Sequence, residues 1–110
     1  MVGDRFLFFQ VTANNATAYP VSALRGIDTA ASAIHLYFTS QRITDVVTGD
    51  NVDRVELACG TDEKLAVEAV INAAMATGST KAPMVTIADG VAGTYIGGGI
   101  TACTSINYAT

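Results

Sequence analysis

Short apolar or alternating segments bounded by turn residues recur along the chain, which predicts a protein built mainly from β-strands. The segment Arg5–Thr12 is aromatic or apolar at most positions, a pattern typical of a strand buried on both faces. The segment Thr12–Pro20, rich in Asn and ending in Pro, predicts a turn-rich interruption rather than a strand. A second strand is expected in Val21–Asp28, and Gly26 and Asp28 are expected to close it.

Two segments in the middle of the chain show the clearest alternation. In Ala33–Ser40, the apolar residues Ile34, Leu36 and Phe38 alternate with polar ones. The second segment follows a predicted turn at residues 49–51 and alternates Val55, Leu57 and Cys59 with Arg54, Glu56 and Ala58. A polar connection joins the two segments, so we expect an antiparallel pair.

The spacing of apolar residues changes once, and it predicts one amphipathic helix at about residues 62–77. Thr61 or Asp62 is expected to cap its N-terminus, and Gly78 is expected to end it in the left-handed conformation. Three polar residues at intervals of four predict a solvated face: Lys64, Glu68 and Asn72. Small and aliphatic residues are expected to cover the rest of the helix: Ala66, Val67, Val70, Ile71, Ala73 and Ala74.

The last 21 residues, from Gly90 onward, contain no charged side chain. The chain there follows a predicted strand that ends at Asp89, and the glycines at 97–99 predict a corner between two more strands. A dinucleotide fingerprint needs a helix after its glycines and a P-loop needs a following Lys, and the sequence provides neither. We therefore expect residues 93–110 to form a C-terminal glycine-cornered β segment that meets another subunit through Tyr95, Ile96, Ile100, Ile106 and Tyr108.

These segments together predict an α+β fold with a mainly antiparallel β-sheet of about five to seven strands and one helix. A chain of 110 residues has the length of one ordinary domain, so residues 1–110 are expected to fold as a single unit.

Charge is sparse in this sequence. Only 15% of residues are charged, against about a quarter in an average soluble domain, and the net charge is −4. The six scattered Lys and Arg form no basic stripe, so no nucleic-acid partner is expected. Neither a membrane span nor an export signal is predicted. Sparse charge favours a homo-oligomer in which copies bury one another's surface, while an ordinary Ala-rich monomer stays the alternative.

Few residues in this sequence are candidates for catalysis or metal binding. The only histidine, His35, has no nucleophile beside it in a recognised arrangement. Cys59 and Cys103 lack metal or redox spacing and are expected to be buried, reduced thiols. The acidic residues Asp45, Asp50 and Asp53 lack the pattern of a calcium loop and predict a solvated turn. We therefore predict no enzyme activity, no catalytic residue, no cofactor and no metal site.

Four stretches carry a family resemblance: "DRFLFFQVT", "YPVSALRGID", "IHLYFTS" and "DRVELACGTDEKLAVEAVINAAMA". In order and character they resemble small virion structural proteins of tailed bacteriophages, particularly those of marine and cyanobacterial hosts. The resemblance spans roughly residues 4 to 75 and includes no catalytic motif. It implies a capsid decoration, or cement, protein that is made in the host cytoplasm and sits on the outside of the head lattice of the virion. Such a protein commonly forms trimers and binds the major capsid protein or other virion subunits.

Three alternatives stay open at this point. Within the virion, the chain could instead be a tail-tube or adaptor subunit. Outside it, a small cytoplasmic module could bind a ligand or peptide on the face that carries His35 and Tyr37. A small enzyme that uses His35 is the third, and it predicts that His35→Ala abolishes activity without lowering stability.

Overall fold

The computed structural model describes residues 5–40, 52–75 and 84–108. These residues form eight strands, one α-helix and a single 3₁₀ turn at Val21–Ala23. The elements are β1 (Phe6–Thr12), β2 (Asn15–Pro20), β3 (Leu24–Ala30), β4 (Ala33–Thr39), β5 (Val52–Ala58), α1 (Glu63–Met75), β6 (Met84–Asp89), β7 (Thr94–Tyr95) and β8 (Ala102–Asn107). The predicted α+β fold is confirmed, with two sheets instead of one.

The strands form two four-stranded sheets. Sheet A has the order β2-β1-β6-β7, and sheet B has the order β3-β4-β5-β8. All neighbours are antiparallel except β1 and β6, which run parallel. The expected antiparallel pair of β4 and β5 is confirmed, with Leu36 opposite Val55.

A single hydrophobic core joins the two sheets. Alternate side chains of β1, β4 and β5 point inward and are fully buried: Leu7, Phe9, Ile34, Leu36, Phe38, Val55 and Leu57. Tyr19 of sheet A stacks on Phe38 of sheet B, with the ring centroids 4.3 Å apart. Burial of each large side chain contributes roughly 1.5–3 kcal/mol, so this shared layer is the main source of the fold's stability.

The N-terminal third differs from the prediction at three places. β1 buries only one face, since Phe6 on the other is 41% exposed. The interruption predicted at Thr12–Pro20 is only a two-residue turn, and Asn15–Pro20 forms β2. β2 is an edge strand that ends at Pro20, so the missing proline N–H breaks no ladder bond. β3 runs past Gly26 and Asp28 to Ala30, and its pairing with β4 is irregular between Leu24 and Gly26.

The helix α1 packs its small residues inward. Ala66, Val70 and Ala74 are buried, and the predicted polar face is exposed. Ile71, which was expected to lie outside the solvated face, is 44% exposed, because its position on the helix places it beside Lys64 and Glu68. The predicted helix end at residues 76–77 and the Gly78 cap lie outside the described residues. None of the described helices is long and apolar enough to cross a membrane.

The C-terminal segment does not form the predicted strand pair. β7 lies in sheet A and β8 in sheet B, so the glycines between them connect the two sheets. Gly97, Gly98 and Gly99 all have positive φ, at 118°, 66° and 81°. A Cβ on Gly98 would lie 2.5 Å from the Leu65 carbonyl oxygen and 2.8 Å from the Ala69 Cβ. The glycine cluster therefore lets this loop lie directly on the helix.

Candidate functional site

Polar and charged side chains cluster on the outer face of sheet B. Directly paired residues project to the same side of a sheet, so two polar rows cross its strands. The first row is Gly26, Tyr37, Arg54 and Asn107; the second is Asp28, His35, Glu56 and Ser105. We call these eight residues the polar face.

His35 lies between two carboxylates on the polar face. Its Nδ1 is 3.0 Å from Asp28 Oδ1, and its Nε2 is 3.6 Å from Glu56 Oε1. The side chain is only 18% exposed, so both ring edges are occupied by protein atoms. Because the two carboxylates contact opposite sides of the ring, the three groups cannot converge on one metal ion. In the described parts of the chain, no group of three such side chains could hold a metal.

Tyr37 extends this network toward an arginine. Its hydroxyl donates to Asp28 Oδ2 at 3.1 Å, and Arg54 contacts the same hydroxyl. Desolvation raises the pKa of Tyr37, the bond to Asp28 raises it further, and Arg54 partly offsets both. The phenol therefore keeps its proton at neutral pH and acts as a donor.

Among the residues that the structure describes, neither Ser105 nor the two cysteines lie beside His35 as a hydrolytic nucleophile would. Ser105 lies in the same row, but Glu56 stands between them, so two strand spacings of about 4.8 Å each separate Ser105 from His35. Cys59 and Cys103 are free and buried, as predicted. Burial raises the pKa of Cys103 to about 11, which makes its thiol a weak nucleophile.

An open groove of about 460 Å³ adjoins the network. It is lined by Arg25, Gly26, Tyr37, Val52 and Arg54. Of the two residues on the face where the sequence placed an alternative ligand site, Tyr37 lines the groove and His35 does not. Ligand binding at this face stays a prediction. Alternation along β5 indicated the outward position of Arg54, whereas the irregular β3–β4 pairing at Arg25 has no sequence signal that we can identify.

One acidic residue predicted to lie in a solvated turn is instead in the core. Asp53 is fully buried and accepts a hydrogen bond of 2.7 Å from the Tyr19 hydroxyl. Burial, and then the Asp53 carboxylate, raise the pKa of Tyr19 far above its ordinary value. Asp53 points inward because it shares the inner face of β5 with Val55 and Leu57. The other two acidic residues of that turn, Asp45 and Asp50, lie outside the described residues.

The five predicted interface residues pack against the chain's own core. Ile100 and Ile106 are buried in it, while Tyr95, Ile96 and Tyr108 are partly buried against it. They hold the two ends of the C-terminal segment on the body of the protein, and three of them keep part of their surface exposed. Their contact with a second copy stays a prediction that a single chain does not test.

Exposed apolar side chains occur elsewhere, on the outer face of sheet A. Phe6 and Met84 are direct neighbours on β1 and β6, and they are 41% and 49% exposed. Phe8 pairs in the same way with Thr86, and β2 adds two more uncharged neighbours, Ala18 and Pro20. We call these six residues the apolar patch. A second exposed apolar group lies on the helix and comprises Leu65, Ile71 and Met75.

Comparisons of this chain with protein-family models, with curated proteins and with solved structures found no match.

Proposed function

We propose that the protein is a structural subunit that assembles with copies of itself, and that it serves as a virion component of the decoration, or cement, type. The observation that carries this proposal is the apolar patch on sheet A. Phe6 and Met84 stand side by side in a patch that contains no charged residue. Contiguous exposed apolar surface is characteristic of protein-protein contacts, and it is costly to leave in water.

The composition supports the same proposal. Few charged residues are available to cover the surface, and the apolar patch lies on the side of sheet A opposite the shared core. A second copy that covered the patch would bury both Phe6 and Met84. Symmetric self-association is the usual way in which a single chain covers such a surface. The resemblance to small phage proteins supplies the virion setting, with a trimer on the head lattice as the expected form and a tail-tube or adaptor subunit as the alternative within the virion.

The oligomeric state tests the proposal. Sedimentation velocity of the wild-type protein should give a homo-oligomer, with a trimer expected. Substitution of both Phe6 and Met84 by Ser should shift the protein to a monomer without unfolding it, because both side chains are already partly exposed. The matched control replaces Leu65 and Ile71 by Ser, since these helix residues have similar exposure and should leave the oligomer intact.

A wild-type protein that stays monomeric at micromolar concentration would contradict self-assembly. If that monomer were also stabilised by a small ligand in a thermal-shift screen, the binding-module alternative would replace the proposal of a structural subunit. If the double substitution of Leu65 and Ile71 disrupted the oligomer to the same extent, the interface would not be specific to the apolar patch of sheet A. Immunogold electron microscopy of particles that contain the protein would separate a head location from a tail location.

A further inference from the structure

We propose that the groove lined by Arg25, Tyr37 and Arg54 binds a carboxylate group. This inference concerns the outer side of sheet B and does not depend on self-assembly through sheet A. The chain has a net charge of −4 and only six Lys and Arg, yet two of the six line one groove. Neither guanidinium forms an ion pair with a carboxylate within the described part of the chain.

Arg54 is only partly satisfied by its own protein. It contacts the Tyr37 hydroxyl, but its Nε is buried and has no hydrogen-bond partner among the described residues. A guanidinium presents five N–H donors in a planar fork that matches the two oxygens of a carboxylate. The terminal nitrogens of this side chain are thus the natural donors for an anion in the groove.

The local backbone shapes the groove around these donors. The β3–β4 register shifts between Leu24 and Gly26, so Arg25 is the extra residue of a bulge, and bulges redirect side chains. Gly26 lies opposite Tyr37, and a Cβ at this position would meet no atom within 4 Å. Because Gly26 has no side chain, the space beside the Tyr37 ring stays open. The Tyr37 hydroxyl is held by its hydrogen bond to Asp28.

The surroundings favour a carboxylate over phosphate. Asp28 and Glu56 lie on the same face and are 59% and 30% exposed, so a dianion would meet more repulsion than a monoanion. Val52 and the Tyr37 ring provide apolar contact for the organic part of the ligand. The carboxylate can belong to a free small acid or to the end of a polypeptide, and the experiment below separates these sources.

Phenylacetate is the probe, and its neutral amide, phenylacetamide, is the matched control ligand. Titration of the ¹⁵N-labelled full chain should shift the backbone amides of Gly26, Val52 and Arg54 with phenylacetate only. Arg54→Met and Arg25→Met should each weaken binding about tenfold, the loss expected for one charged hydrogen-bond donor. The control variant Lys64→Met changes the net charge by the same amount at an exposed helix site and should bind within about twofold of wild type.

A second arm identifies the source of the carboxylate. Acetyl-Ala-Phe with a free C-terminus is compared with its C-terminal amide and with phenylacetate. Tighter binding of the free-acid peptide assigns the groove to a polypeptide terminus, and equal or weaker binding assigns it to small acids.

Three results would overturn the proposal. The first is the absence of localised shifts with phenylacetate up to about 10 mM, roughly ten times the dissociation constant of a 1 mM site. The second is equal shifts with phenylacetamide, and the third is equal weakening of binding by Lys64→Met. Inorganic phosphate that binds tighter than phenylacetate would overturn the preference for a carboxylate. Arg25→Met keeps the test valid if Arg54→Met does not fold, because Arg25 is exposed.

Discussion

Single residues with special backbone geometry decide how the C-terminal segment is placed. Gly98 has a φ of 66° and lies so close to α1 that a Cβ would contact the Leu65 carbonyl oxygen. Gly93 has nearly the same φ, 73°, but nothing lies within 4 Å of its missing Cβ. Substitution of Gly93 therefore introduces backbone strain alone, whereas substitution of Gly98 introduces the same strain and a steric clash with the helix.

Gly98→Ala is expected to destabilise the protein far more than Gly93→Ala. Both substitutions place an alanine in the left-handed region at a cost of about 1–2 kcal/mol. Gly98→Ala also forces the loop away from the helix, for about 1–3 kcal/mol more. Urea denaturation followed by circular dichroism measures both changes. Equal losses in the two variants would show that the loop does not rest on the helix in solution.

Residue-level patterns predicted the central core well but missed its polar member. Alternation alone identified Ile34, Leu36 and Phe38 as inward-facing, because one face of β4 is buried. Asp53 was missed because a carboxylate is rarely buried, and its burial depends on a hydrogen bond from Tyr19 on another sheet. Such partners come from tertiary structure and leave no local signal.

At the scale of elements, one hydrogen bond ties the helix to sheet B. Ser32, in the β3–β4 turn, has a φ of 57° and donates its backbone N–H to Glu63 Oε2 at 2.7 Å. This bond, together with the backbone N–H of Glu63 itself, lowers the pKa of Glu63 below its ordinary value of 4.5. The first turn of α1 and the turn between β3 and β4 are therefore fixed together.

Glu63→Gln should lower the stability of the protein at neutral pH. A carboxylate with a lowered folded-state pKa stabilises the fold above its unfolded-state pKa, and this contribution is lost as the pH falls through the folded-state value. The difference in unfolding free energy between wild type and Glu63→Gln should therefore shrink as the pH falls below 4.5. Thermal unfolding between neutral and acidic pH measures it.

Glu68→Gln is the matched control for this prediction. Glu68 lies on the same helix and pairs with Lys64 at 3.9 Å on an exposed face. Exposed pairs of this kind contribute little, so its substitution should change stability slightly at any pH. A pH-independent loss in Glu63→Gln would argue against the bond to Ser32.

The type of most elements was predictable, while their partners were not. The helix and the β4–β5 pair follow from periodicity, since each buries one regular face. The parallel pairing of β1 with β6 joins distant parts of the sequence, and no local pattern encodes it. Of the candidate site, Tyr37 was identified from alternation, but the groove needs Arg25, whose position depends on a register shift.

For the whole molecule, the C-terminal segment acts as a connection between the two sheets. β7 completes sheet A, β8 completes sheet B, and Cys103 and Ile106 enter the shared core between them. The missing charge in this segment is consistent with burial inside the chain as well as with an oligomer contact. The proposed interface accordingly rests on Phe6 and Met84 rather than on the tail.

A chain that ends at Gly93 should fail to fold, not only to assemble. It lacks both β7 and β8 and leaves β5 with an open edge and an uncovered core. A chain that ends at Tyr108 keeps every described strand and should fold normally. Near-ultraviolet circular dichroism and amide dispersion in NMR spectra compare the two. If the shorter chain folded but stayed monomeric, the C-terminal segment would again be the expected subunit interface.

The parallel pairing of β1 with β6 also constrains how the chain reaches its native state. β3, β4 and β5 pair in chain order, so they can associate early, whereas β1 stays without its central neighbour until Met84–Asp89 has been synthesised. Pairings between such distant segments slow folding. Until β6 joins the sheet, the β1–β2 hairpin leaves part of its apolar inner face, which includes Leu7 and Phe9, without its native contacts, and such surface favours aggregation or chaperone binding.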